Sequence, residues 1–273
     1  MAYWRDKWEF PNSNEFEYKY AGKYGAKGER RGKRKKATPE QIKKQNQSNR
    51  EKKMRRLIKA NFLPDDLWNT LKYPKGTRIP LEEVEKHLTS FLALMRKKYK
   101  KYGEILKFIK RMEIGEQGGI HIHILVNRIK NAHTDLVIQE CWEQGSVNHE
   151  SIYEHGGYTK LANYIVKQPT EEMEGQLSLF SEEEKKRLIS YSTSRNLIRP
   201  EPERTEYRRW TVKDLIENEP KPTPGYYIDK DSIHYGVNPY TGMSYYHYTE
   251  YRLDEINSRN KSPSGEEEEP IWK

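Results

Sequence analysis

Two histidines stand two residues apart in the stretch GGIHIHILVN, residues 118–127. His121 and His123 alternate with Ile120, Ile122 and Ile124, so in an extended chain both imidazoles leave the same face. The pair has two readings: polar positions on a solvated strand, or two ligands of one ion. Side chains two apart on a strand start about 6.6–7 Å from each other, close enough for the ring nitrogens to converge. Glu113 precedes His121 by eight residues. In a hairpin turning near 116–118, Glu113 comes opposite or diagonal to the histidines, while Glu116, nearer the turn, is the weaker candidate. Two imidazoles and a carboxylate leave half of an octahedral sphere open, an arrangement that suits Mn²⁺ or Mg²⁺ with a phosphate and water.

Downstream, YTKLANYIVKQP holds a second pair of reactive types. Tyr164 and Lys167 are three apart and share a helical face with Lys160. A tyrosine hydroxyl, with a pKa of about 10, is a poor nucleophile at neutral pH. A polarised phosphate and a nearby ammonium are the aids it needs. The plain alternative is a half-buried tyrosine packing on a sheet and a lysine at a solvated helix end. Tyr158, six residues earlier, lies about 120° round the helix and is a poor substitute, so one tyrosine is in register.

The surrounding sequence supplies elements that can hold these groups. LWNTLKY (67–73) reads as a strand. Leu81, Val84, Leu88, Phe91, Leu92, Met95 and Tyr99 recur at helical steps, with Pro80 at the start and Gly103 at the end. EILKFIKRMEI (104–114) and GIHIHILVN read as strands around a glycine-rich turn, HTDLVIQECWEQG as a short helix, SVNHESIY as a fourth strand, and 158–168 as a helix stopped by Pro169. The order predicts an α+β fold, a ferredoxin-like or RRM-like βαββαβ antiparallel sheet with a downstream catalytic helix.

Outside that core the composition changes. Residues 1–55 read as a basic disordered arm; from Lys19 to Lys59 there are 17 lysines and arginines against three acidic residues. A helix is expected from Thr38-Pro39-Glu40. The core is assigned to 56–170, a linker to 171–200, a tyrosine-rich appendage to 201–260 with eight tyrosines between 226 and 251, and an acidic tail to 261–273. The net charge of +9 fits a polyanionic partner. No apolar run approaches a membrane span and no apolar leader is seen, so the expected compartment is the cytoplasm, with no membrane partner. The single Cys141 excludes an internal disulfide and a cysteine-rich zinc module.

IHIHILV followed by NYIVK resembles the HUH superfamily of single-strand endonucleases. The order of the histidine pair and Tyr-x-x-Lys is similar, more narrowly, to single-tyrosine rolling-circle replication initiators of plasmids, phages and related elements. NTLKY (69–73) fits that family's first strand motif loosely, and EIGEQGGIHIH fits the approach to its histidine motif. The resemblance implies a metal held by His121, His123 and Glu113, with Tyr164 as nucleophile and Lys167 as its helper. It implies nicking and rejoining of single-stranded DNA at an origin through a 5′-phosphotyrosine. The host would be a bacterial cell, with its helicase and polymerase as further partners. No G-x-x-x-x-G-K-[ST] is present, so a helicase would be supplied by another protein. A single-tyrosine HUH transposase uses the same parts. A non-catalytic RRM-like RNA- or DNA-binding module is the alternative of another class, and it needs aromatics where His121 and His123 stand.

Overall fold

The computed structural model describes residues 2–22, 30–115, 118–152, 158–169, 171–208 and 210–253. Along the chain the elements are β1 (Tyr3–Glu9), β2 (Ser13–Tyr20), α1 (Pro39–Asn61), β3 (Leu67–Lys72), α2 (Leu81–Lys101), β4 (Phe108–Ile114) and β5 (Ile120–Val126). There follow α3 (Thr134–Cys141), β6 (Ser146–Ser151), α4 (Thr159–Val166), α5 (Glu171–Leu177), α6 (Glu182–Ile189) and β7 (Tyr191–Thr193). The last are β8 (Glu203–Tyr207), α7 (Lys213–Asn218), β9 (Tyr226–Asn238) and β10 (Met243–Arg252). The chain divides into two compact units, one of residues 40–199 and one that joins 1–39 to 200–273.

The 40–199 unit is built on an antiparallel sheet of order β6-β3-β5-β4-β7. Its first four strands have the order expected of a βαββαβ fold, with the two strands flanking the first crossover kept apart by β5. Alternation sorts the side chains into two faces. Leu67, Leu71, Met112, Ile120, Ile122, Ile124 and Val126 meet one apolar face of α2 and α3. On α2 the seven residues read as a stripe are all buried, each worth about 1.5–3 kcal/mol relative to exposure. Pro80 stands at the helix N-cap and Gly103, at φ +74°, follows its end.

The opposite face carries Ile109, Leu125 and the polar residues of interest, and it is covered as well. Met54, Leu57, Ile58 and Phe62 of α1 and Ala162, Ile165 and Val166 of α4 pack there. Gln47 Nε2 donates to the Val166 carbonyl at 3.1 Å, tying α1 to the end of α4. The helix expected from Thr38-Pro39-Glu40 is present, and residues 39–55 of the segment read as a disordered arm belong to this 23-residue element. Its hydrophobic signal is short: apart from the exposed Ile42, only the last two turns carry apolar side chains, and the rest is polar and largely exposed.

In the other unit, β8-β1-β2-β10-β9 form an antiparallel sheet. The first 20 residues, also read as arm, contribute two of its inner strands. Tyr3, Phe16, Tyr18, Tyr246 and Tyr248 share one buried cluster with Val212. Asp6 is fully buried on β1 and takes hydrogen bonds from Arg204 Nε at 2.6 Å and Nη2 at 2.9 Å, with Lys19 Nζ at 2.5 Å. Burial works to raise the Asp6 pKa, but these cations outweigh it and hold the carboxyl below its ordinary value. The acidic segment 261–273 lies outside the described residues.

Candidate active site

The hairpin register decides which carboxylate faces the histidines. Gly115 N donates to Gly119 O and Gly118 N to Gly115 O, so the turn closes at 115–119. Glu113 then stands directly opposite His121, and Arg111 opposite His123. Glu113 is diagonal to His123, and its Oε2 lies 3.3 Å from His123 Nε2. Glu116 lies outside the described residues.

Four of the five residues singled out by type and spacing meet at one point. Tyr164 Oη donates to Glu113 Oε2 at 2.5 Å and lies 2.9 Å from His123 Nε2. Lys167 Nζ is paired with Glu113 Oε1 and sits 4.2 Å from the centroid of the Tyr164 ring. Lys167 reaches this position from beyond the helix: α4 ends at Val166, and Lys167 is its extended C-cap. Tyr158 precedes α4 in a left-handed conformation, φ 61°, with its side chain buried among apolar neighbours.

His121 is turned elsewhere. A Cβ placed on Gly115 would come within 2.9 Å of His121 Cε1, so the imidazole lies over that glycine, farther along the same face. Among the described residues no three of His, Cys, Asp and Glu are grouped closely enough to hold a metal. The donor types nevertheless fit a hard or borderline divalent ion: two imidazoles and a carboxylate on one face, with Glu113 and His123 already adjacent. Both Glu113 oxygens are engaged by Tyr164 and Lys167.

The electrostatics follow from that packing. Burial raises the Glu113 pKa, yet the hydrogen bonds from His123, Lys167 and Tyr164 overcome it and hold the carboxyl far below the usual range. Burial pushes the Tyr164 pKa up, and the Glu113 carboxylate pushes it further. The hydroxyl is thus held in its neutral form more firmly than in water. Burial, with His123 and Lys72 nearby, lowers the His121 pKa and favours the neutral imidazole that a ligand requires.

Three residues that hold the cluster escaped the reading of spacing. Arg111, 1 % exposed, sends Nη1 to the carbonyls of Ile165 at 2.8 Å, Lys167 at 2.9 Å and Tyr164 at 3.3 Å. It satisfies the orphan carbonyls at the C-terminus of α4, where a cation is also favoured by the helix dipole. Thr70 Oγ1 lies 3.2 Å from His123 Nδ1. Trp68 stacks on His123 with ring centroids 5.6 Å apart and meets Tyr164 edge-on. The available signal was alternation: Trp68 and Thr70 on β3, and Arg111 and Glu113 on β4, fall on the face that carries His123.

Residues 66–169 match the family of the replication-associated protein ORF2. The match supports a family of rolling-circle replication initiators. Its limits enclose β3 to α4 and Lys167, and so contain every residue of the cluster, while α1 and the whole 1–39/200–273 unit lie beyond it. Neither the curated proteins nor the solved structures compared with the chain give a match. No helix among the described residues is long and apolar enough to cross a membrane.

Proposed function

We propose that the chain initiates rolling-circle replication by nicking and rejoining one strand of DNA at an origin, with Tyr164 as the nucleophile. The observation that carries this reading is the meeting of the Tyr164 hydroxyl with both His123 and Glu113, inside the segment that matches replication-associated proteins. His121, His123 and Glu113 would hold a divalent metal, Mn²⁺ or Mg²⁺; when bound, it supplies positive charge that polarises the scissile phosphate.

The remaining work falls to the chain's own residues. Tyr164 Oη attacks phosphorus, and the bond from phosphorus to the 3′ oxygen of the preceding nucleotide breaks. The proton given up by the tyrosine is balanced by the one the 3′ hydroxyl gains. The product is a 5′-phosphotyrosine, whose ester keeps the energy of the broken bond, so rejoining requires no ATP. Lys167, paired with Glu113 and lying over the Tyr164 ring, stabilises the phenolate as the proton leaves. Arg111 and Trp68 orient the tyrosine and its histidine neighbour. Single-stranded and origin DNA are the partners, with a helicase and polymerase supplied by the host, a bacterial cell; the cytoplasm is the compartment.

The test is incubation of the full chain with Mn²⁺ and single-stranded fragments tiled across the genetic element that encodes it, followed by a denaturing gel and peptide mapping. A covalent adduct on the peptide holding Tyr164 is expected. Binding without cleavage, unaffected by EDTA, would instead identify a non-catalytic module.

A further inference from the structure

Beside the Tyr164 cluster lies a cleft of about 840 Å³ whose lining includes His121, Gly115, Lys72, Lys75 and Arg78. None of its described lining residues is acidic. Lys72, Lys75 and Arg78 are exposed, and none of the three has its charge spent on an ion pair with a neighbouring carboxylate among the described contacts. The Arg78 guanidinium lies 3.7 Å from where a Cβ on Gly118 would stand, so this side chain reaches across from the β3–α2 loop to the β4–β5 turn. A Cβ on Gly145 would run into the Lys72 carbonyl, so the start of β6 closes against the third side.

The cleft is continuous with the reactive cluster. Lys72 follows Thr70 by two residues on β3 and shares its face, and Thr70 contacts His123. His121 belongs to both places: it lines the cleft and stands opposite Glu113. A polyanion whose phosphate reaches Tyr164 therefore has its next phosphates led past His121 towards three uncommitted cations. An extended single strand can follow this line from the reactive cluster past His121 to the three cations.

We propose that this cleft binds the sugar–phosphate backbone of the single-stranded DNA flanking the cut, through Lys72, Lys75 and Arg78. Its position next to the scissile phosphate rests on the nicking function proposed above, but binding is measurable without it.

The experiment uses the full chain carrying Tyr164→Phe, which removes the nucleophile, and a fluorescent thymidine oligomer long enough to span cleft and cluster. Into this background go Lys72→Ala, Lys75→Ala and Arg78→Ala together. A matched control carries Lys97→Ala, Lys100→Ala and Lys101→Ala, three exposed lysines on α2, which packs on the other face of the sheet. The cleft variant is expected to bind about tenfold more weakly and to flatten the slope of log affinity against log salt by about 2, the effect of three phosphate contacts on a single strand. The control should change affinity by less than about twofold. Equal losses in both variants, or undiminished affinity in the cleft variant, would overturn the proposal, as would an equal loss towards duplex of the same length. Because Tyr164 is already removed, a failure of nicking in the wild-type chain leaves this result interpretable. Conversely, a working nuclease whose cleft variant binds normally refutes the cleft alone.

Discussion

Arg111 on β4 holds the carbonyl of Ile165 on α4 at 2.8 Å, from a side chain almost wholly removed from solvent. Replacing it by methionine largely keeps the volume but leaves the Ile165 and Lys167 carbonyls at the end of α4 without this donor. Loss of about 2–4 kcal/mol of unfolding free energy is expected, read by urea denaturation. Adduct formation should fall further than binding, because Arg111 bonds the carbonyls of Tyr164, Ile165 and Lys167. A variant as stable and as active as the wild type would show that Arg111 does not set the position of Tyr164.

Tyr164→Phe should keep the fold within about 1 kcal/mol, since the ring contacts with Trp68 and His123 survive and only the hydroxyl is lost. It should bind single-stranded DNA normally and form no covalent adduct. An adduct that persists and maps to Tyr158 would overturn the assignment. The burial of Tyr158 among apolar side chains argues against that outcome.

Gly115→Ala probes His121 without touching a donor atom. The new methyl would stand 2.9 Å from His121 Cε1, closer than side chains tolerate, so the ring must rotate. The imidazole is a side-chain end and can yield, so stability should change by less than about 1 kcal/mol. Displacement of the His121 signals in an imidazole carbon–proton spectrum, together with an altered Mn²⁺ dependence of nicking, is the expected pair of results. Unmoved signals would show that the ring does not rest on Gly115.

Metal removal supplies a fourth test. EDTA should abolish nicking, and Mn²⁺ or Mg²⁺ should restore it. His121→Ala, His123→Ala and Glu113→Ala should each raise the metal concentration needed. His123→Ala should also cost stability, because Trp68 loses its stacking partner.

The 1–39/200–273 unit should be sensitive to acid through Asp6. Its folded pKa is depressed by Arg204 and Lys19, so its contribution is complete above the unfolded value of about 3.9 and is lost as pH falls through the lower folded value. Urea unfolding from neutral pH down to about pH 2 should show this acid limb. Asp6→Asn should lose about 1–3 kcal/mol at neutral pH and flatten the limb, the partly exposed cations limiting the effect. An identical limb in the variant would place the acid sensitivity elsewhere.

The βαββαβ order was legible because its central elements carried a clear period: seven apolar residues at helical steps in α2, alternation from Ile120 to Ile124 in β5, and glycines at the turn between β4 and β5. Glu113 was legible because hairpin geometry left few partners for His121. The orientation of His121 was not, since a ring on a strand chooses its rotamer by what lies beneath it, here a glycine two residues past Glu113. Nor was Lys167 legible in detail: the spacing placed it on the helical face of Tyr164, whereas it leaves the helix and folds back over the ring. The strands of residues 3–20 were hidden by charge. Arg5, Asp6, Lys7, Glu15 and Glu17 break the apolar pattern, and the aromatic partners on β10 that make the segment a sheet lie more than 200 residues away.

That separation governs the order in which the protein can be made. Asn14 on β2 binds Glu250 on β10 across 236 residues of chain. At a synthesis rate of about 5–20 residues per second, β1 and β2 leave the ribosome about 10–50 s before the strand that flanks them exists. The 40–199 unit needs nothing later than Arg199 and can mature in that interval. The opening segment meanwhile waits as an aromatic ribbon with an open edge, the form of chain most prone to pair wrongly. Its charges, which concealed it as a strand, are also what keeps such a ribbon soluble until its partners arrive.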